Sequence, residues 1–146
     1  MFNKQGSILL NLLVAVLVII LTVTVSLPYI RDYRVNSRLS AEARELINNL
    51  RYAQQLSVTQ QVVHGVKLDS ENDFYEVLKT GASTSTLKTV FLSENSSFKK
   101  IEDFSNNLVK FNFYGGAEEA GEIILENINN KEIILEIKPS GYVQIK

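Results

Sequence analysis

Residues able to do chemistry are few in this chain, and they are scattered. His64 is the only histidine and cysteine is absent, so disulfides, thiolate metal sites and multi-histidine sites are all excluded. His64 falls in a segment of alternating apolar residues and reads as a strand residue rather than a catalyst. Seven serines lie between Ser70 and Ser105, none of them in a G-x-S-x-G elbow. Neither GxGxxG nor GxxxxGK[ST] occurs, so Gly115-Gly116 reads as a turn rather than a phosphate cradle. Glu118 and Glu119 could face a hard cation such as calcium, but the spaced acidic loop of such sites is missing, and a solvated loop is the expectation. We therefore expect no enzyme, no cofactor and no metal. One charged constellation stands out: Arg31, Arg34 and Arg38, at spacings of three and four along one helix face. It suits lipid headgroups, Asp32 or a neighbouring chain, and second to these a nucleic-acid phosphate. No aromatics interleave with it, so a base-stacking platform is unsupported.

The elements that position these residues begin with an apolar run. From Ile8 to Leu27, twenty residues are apolar except Asn11, Thr22, Thr24 and Ser26, and no charge occurs between Lys4 and Arg31. As a helix, twenty residues span ~30 Å, the hydrocarbon thickness of a bilayer. A secretory signal has a shorter apolar region followed by a small-x-small cleavage site, and Thr24-Val25-Ser26 is a poor one. Lys4 favours a cytoplasmic amino end, whereas the three arginines beyond the run favour the opposite, so charge alone does not fix orientation. The part from Tyr29 onward has 14 Lys and Arg against 16 Asp and Glu, a net of 14 − 16 = −2, which excludes a domain-wide basic footprint.

After the run the pattern stays helical. Leu39, Ala43, Leu46, Ile47, Leu50, Ala53 and Ser57 recur at three and four, while Ser40, Glu42, Arg44, Glu45, Asn48, Asn49 and Arg51 fill the other faces. Glycine and proline are absent from Tyr29 to Val63, so a rod ending near Thr59-Gln60-Gln61 is expected. The period then changes to two. Val62, His64, Val66 and Leu68 form a strand, Ser70 to Asp73 a turn, and Phe74 to Leu78 the returning strand of a hairpin. Gly81 to Thr86 reads as a flexible loop, and Ser93–Asn107 as a second exposed loop. Further strands are expected at Leu87–Leu92, Leu108–Phe113, Glu122–Glu126, Glu132–Lys138 and Tyr142–Lys146. Turns are expected at Asn129-Asn130 and Pro139-Ser140-Gly141. The fold class is α+β: a long N-terminal helix, membrane-spanning in its first half and amphipathic in its second, packed on one antiparallel β-sheet or two.

The opening residues resemble a type IV prepilin signal: a short polar leader ending in Lys4-Gln5-Gly6, then Ser7-Ile8-Leu9-Leu10 and the apolar helix. The resemblance implies cleavage between Gly6 and Ser7 by a prepilin peptidase, and methylation of the new amino terminus on Ser7. The helix is retained, first in the membrane and then in a filament core. Two positions depart from the family pattern. Ser7 replaces the usual Phe, Met or Leu, and Asn11 stands where a Glu usually pairs with the amino terminus of the adjoining subunit. Pro28 falls where many pilins carry a helix-kinking proline. Leu50-Arg51-Tyr52-Ala53-Gln54-Gln55, Phe111-Asn112-Phe113-Tyr114-Gly115-Gly116-Ala117, Gly121 to Leu125 and Ser140-Gly141-Tyr142-Val143 are similar to H-type minor pseudopilins of type II secretion and to related minor type IV pilins. The implied organisation is a leader at 1–6, a membrane and filament-core helix at 7–28, its amphipathic continuation at 29–60 and a β domain at 61–146. The implied partners are other pilins or pseudopilins, the prepilin peptidase and an inner-membrane assembly platform. The implied location is the cytoplasmic membrane, single-pass, with the β domain outside. Alternatives are a single-pass membrane-anchored enzyme or ligand-binding β domain that never joins a filament, and a DNA-uptake pilus component contacting DNA.

Overall fold

In a computed structural model, the backbone is described for residues 4–81 and 83–146, and the side chains for these except 4, 5 and 25–29. Residues 1–3 of the expected leader, and Ala82 of the expected Gly81–Thr86 loop, lie outside the described residues. One helix, α1, runs Lys4–Gln60. Eight strands follow among the described residues: β1 His64–Asp69, β2 Phe74–Thr80, β3 Thr84–Phe91, β4 Ser96–Glu102, β5 Leu108–Phe111, β6 Gly121–Asn127, β7 Glu132–Ile137 and β8 Val143–Ile145. The chain forms two compact units, residues 1–34 and 35–146.

In the second unit, the helical stripe read from spacing is buried at every position: Leu39, Ala43, Leu46, Ile47, Leu50, Ala53 and Ser57. It enters one core with the inner faces of two antiparallel sheets, ordered β3-β2-β1-β5 and β4-β6-β7-β8. The first sheet contributes Val66, Leu68, Tyr75, Val77, Val109 and Phe111; the second contributes Phe98, Ile123, Leu125, Leu135, Ile137 and Val143. This is the expected α+β architecture in its two-sheet form. The β1–β2 hairpin forms in the register Val66↔Val77 and Leu68↔Tyr75, which puts the apolar partners on the core side. The helix terminates at Gln60, and Gln61 adopts a left-handed φ of 53°.

Three expectations need correction. Thr84 to Thr86 belong to β3 rather than to a flexible loop, because β2 offers them a ladder: Thr84 pairs with Thr80 and Thr86 with Leu78. Ser93–Asn107 is not an open loop, since it contains β4 and a short 3-10 turn at Ser105–Asn107. A bulge between Phe98 and Lys100 breaks the period of two and sets Lys99 beside Lys100, which hides the strand in the sequence. Asn49, assigned to a polar face, is buried. Its Nδ2 donates to the Tyr75 hydroxyl at 2.8 Å, and its Oδ1 accepts from Lys88 Nζ at 3.1 Å, so both halves of the amide are matched.

Candidate functional site

The first unit carries the feature that no internal packing explains. Gly6–Thr24 is a 19-residue helical segment of mean hydropathy 2.8, none of it buried within the chain. Its large side chains from Ile8 to Val23 are between 46 and 68 % exposed. A contiguous apolar surface of this extent marks a lipid or protein contact. Within it the hydroxyls fold back on their own helix. Thr22 Oγ1 donates to the Val18 carbonyl at 2.5 Å, and Thr24 Oγ1 to the Ile20 carbonyl at 2.7 Å. Each thus spends its polarity one turn back, and the outer surface remains compatible with hydrocarbon.

The residues singled out from the sequence are distributed along α1. Gly6, Ser7 and Asn11 are exposed in the first unit, and among the described residues nothing beyond the adjoining helix backbone lies within 4 Å of the place a Cβ on Gly6 would take. Pro28 lies within α1. Arg31 and Arg34 are exposed in the first unit; Arg38 is exposed in the second, where its Nε donates to Glu42 Oε1 at 3.4 Å. That same Glu42 oxygen accepts the Ser93 amide at 3.0 Å, so Arg38 belongs to a local tie between the helix and the segment before β4.

The remaining chemical candidates are held structurally. His64 is fully buried; its backbone amide donates to Ser57 Oγ at 2.9 Å, and its Nδ1 lies 2.7 Å from the Val62 carbonyl. That short contact makes Nδ1 the protonated nitrogen. The Glu119 carboxylate accepts the Ser105 hydroxyl and the Ser105 amide, each at 2.6 Å, and these bonds hold it below the usual carboxylate range. Glu118 pairs with Lys110 at 3.7 Å. Among the described residues, no three His, Asp or Glu side chains come together as a metal site would need. Gly115 and Gly116 form a turn. Asn112 Oδ1 accepts the amides of Tyr114 and Gly116 at 3.0 Å, while Gln54 Nε2 on the helix donates to the Gly115 carbonyl at 2.6 Å.

Sequence reasoning missed the surface beside that turn. Val58, Phe113, Tyr114 and Tyr142 are all exposed, and the Phe113 and Tyr114 rings lie 4.5 Å apart. The signal available was the adjacent Phe113-Tyr114 pair, followed by two glycines.

No family model matches the sequence, and no curated protein does either. Solved structures do match in shape. The minor pseudopilin EpsH of the Vibrio cholerae type 2 secretion system superposes with a TM-score of 0.64 at 9 % identity, over 75 % of this chain and 96 % of that one. The type IV minor pilin FimU of Pseudomonas aeruginosa gives 0.62 at 18 % identity, over 76 % of this chain and 90 % of that one. At these identities the likeness is one of fold: a helix packed on antiparallel sheets as in minor pilins and pseudopilins.

Proposed function

We propose that this chain is a minor pilin or pseudopilin subunit of a type II secretion or type IV pilus filament. A prepilin peptidase removes residues 1–6 by cutting between Gly6 and Ser7, and Ser7 becomes the methylated amino terminus. Residues 7–28 store the subunit in the cytoplasmic membrane and later pack against other pilins. An inner-membrane assembly platform drives that transfer, residues 29–60 continue the rod, and residues 61–146 stand outside the membrane. Asn11 and Pro28 lie on the packing rod, and Arg31, Arg34 and Arg38 meet headgroups or neighbouring subunits. The observation that carries this reading is a wholly exposed apolar helix of membrane length on a chain whose folded part has the pilin-like arrangement. Nothing favours DNA contact over assembly, since Arg38 already has a carboxylate partner.

The test is co-expression with a prepilin peptidase, followed by mass spectrometry of the amino terminus. The expected product begins at a methylated Ser7, and Gly6→Val blocks its formation. Retention of Met1 in the presence of active peptidase would instead define a plain membrane anchor. Native material beginning beyond Leu27 would define a secreted β domain.

A further inference from the structure

A sheet edge is a row of unpaired amides and carbonyls, and proteins that must stay apart close their edges. Among the described residues, three of the four sheet edges are closed. On β5, the outward Lys110 carbonyl accepts the Glu118 amide at 3.0 Å, and Phe111 bridges to Ala117. On β4, the outward Phe98 amide donates to Asp73 Oδ1 at 3.0 Å, the bulge twists the strand, and Lys99 and Lys100 are exposed. On β8, only three residues long, the outward Val143 carbonyl accepts Arg51 at 3.2 Å.

The β3 edge carries a bulge too, at Leu87, but among the described residues nothing hydrogen-bonds to its outward backbone. It is eight residues long, all exposed but Val90, and among the described strands it borders only β2. Its single charge, Lys88, is turned to the helix, where Nζ lies 3.1 Å from Asn49 Oδ1 and 3.6 Å from Glu45. The Leu92 amide donates to the Asp73 carbonyl, so antiparallel alternation gives Val90 and Lys88 to β2 and turns the backbone of Thr89 and Phe91 outward. Beyond the bulge, where Val77 faces Lys88 and Leu78 faces Thr86, the outward residues are Thr86 and Thr84.

This pattern is complementary to itself. Laid antiparallel on a second β3, with Thr84 opposite Phe91 and Thr86 opposite Thr89, every outward residue meets an outward residue. The extra residue at the bulge, Leu87, is matched by the same irregularity in the partner. Two threonine–threonine pairs result, and no charge is buried. We propose that β3 is a strand-addition edge that pairs antiparallel with β3 of a second copy of this chain, an inference independent of the pilin reading.

Because the chain has no cysteine, single-cysteine variants test the register directly. Thr86→Cys and Thr89→Cys full-length chains are prepared in detergent micelles and oxidised separately and as a mixture. In the proposed register the mixture yields disulfide-linked dimers several-fold above either variant alone. Like residues of paired copies stand about 10 Å apart along the strand, at ~3.4 Å per residue, beyond the ~7 Å limit for a disulfide. Association through the apolar helices alone gives no such preference. In parallel, the Thr89 and Phe91 amides of the unmodified chain should gain protection from hydrogen exchange as protein concentration rises. Equal crosslinking in all three samples, no crosslinking at all, or amides that stay unprotected at every concentration would overturn the proposal.

Discussion

Gly141 offers the sharpest test of how the helix end is fastened to the sheets. Its φ is +80°, and a Cβ placed on it would run into the Gly115 carbonyl oxygen and the Gln54 amide that donates to that oxygen. Alanine there meets three penalties. Left-handed backbone costs a non-glycine residue about 1–2 kcal/mol. Displacing a packed backbone oxygen adds about 1–3 kcal/mol. Weakening the Gln54–Gly115 hydrogen bond adds about 0.5–1.5 kcal/mol. Since these effects overlap, a total of about 3–5 kcal/mol is expected. Gly115 provides the control: its φ is +87°, but its Cβ would meet Val58 Cγ2 at 3.3 Å and Gln54 only at ordinary contact distances of 3.7 and 3.9 Å, so Gly115→Ala carries little beyond the backbone term, about 1–2 kcal/mol. Urea unfolding of the full chain in micelles, followed by near-UV dichroism of the tyrosines, measures both. At a slope of about 2 kcal/mol/M, Gly141→Ala should lower the midpoint by about 2 M and Gly115→Ala by less than 1 M. Equal shifts would refute the clash. Two unchanged midpoints would refute the backbone geometry as well.

Other expectations are simpler. Tyr75→Phe strands the buried Asn49 donor and should cost about 1–3 kcal/mol in the same assay; Asn49→Leu combined with Tyr75→Phe should cost less than the sum of the two single changes. Leu50→Ala, at a fully buried position in the core that the helix shares with both sheets, should cost about 2–5 kcal/mol, and a loss below 1 kcal/mol would contradict the packing. Acid should destabilise the second unit. Asp69 is held below its ordinary range by the backbone amide and side chain of Asn72, and Glu119 by the Ser105 hydroxyl and amide, so the folded state binds fewer protons than the unfolded one. Their stabilisation is complete above the ordinary carboxylate range of about 4 and is lost as pH falls through the lower folded values. The urea midpoint should therefore drop between pH 6 and pH 3, and drop less in Ser105→Ala; a flat profile would contradict the assignment.

What could be read in advance follows from whether the information is local. The helical stripe was legible at all seven positions because one face packs against both sheets without interruption. The β1–β2 hairpin was legible because alternation and turn residues agree over its whole length. Strand β4 was not, because its bulge destroys alternation and only pairing with β6 keeps it extended. The start of β3 was not legible either, since Thr84, Ser85 and Thr86 adopt a strand only where β2 supplies a ladder. Asn49 is buried because a tyrosine 26 residues further along the chain accepts a hydrogen bond from its amide, a fact no helical wheel contains. In the candidate site, the apolar segment was visible from hydropathy, whereas the exposed Val58, Phe113, Tyr114 and Tyr142 surface needed the turn at Gly115 to assemble it.

Within the apolar run from Ile8 to Leu27, Asn11 is the polar residue nearest the start, and the proposed transfer from membrane to filament makes demands on it. Lipid tails are as apolar as the leucines of the run, so moving residues 7–28 from bilayer to a bundle of like helices gains little from hydrophobic burial. The few polar groups must then bias the transfer. Thr22 and Thr24 contribute little, because their hydroxyls already bond to carbonyls of their own helix. Asn11 is exposed and neutral, and a hydrogen bond from it to a neighbouring helix would contribute about 0.6 kcal/mol on average in a membrane. On that reasoning Asn11→Leu should lower the amount of subunit recovered in assembled filament by only about threefold. Asn11→Glu is the opposite case, because it puts a carboxylate into hydrocarbon, where a charge at the centre of a helix costs about 2.5–3.5 kcal/mol and one nearer the end costs less. Only a neighbouring ammonium beside residue 11 could offset that cost. If the chain is a filament subunit as proposed, and its place has no such neighbour, Asn11→Glu should reduce incorporation more than Asn11→Leu does, as measured by quantitative blotting of sheared filaments. An increase instead would place another subunit's amino terminus against Asn11 and refute the argument.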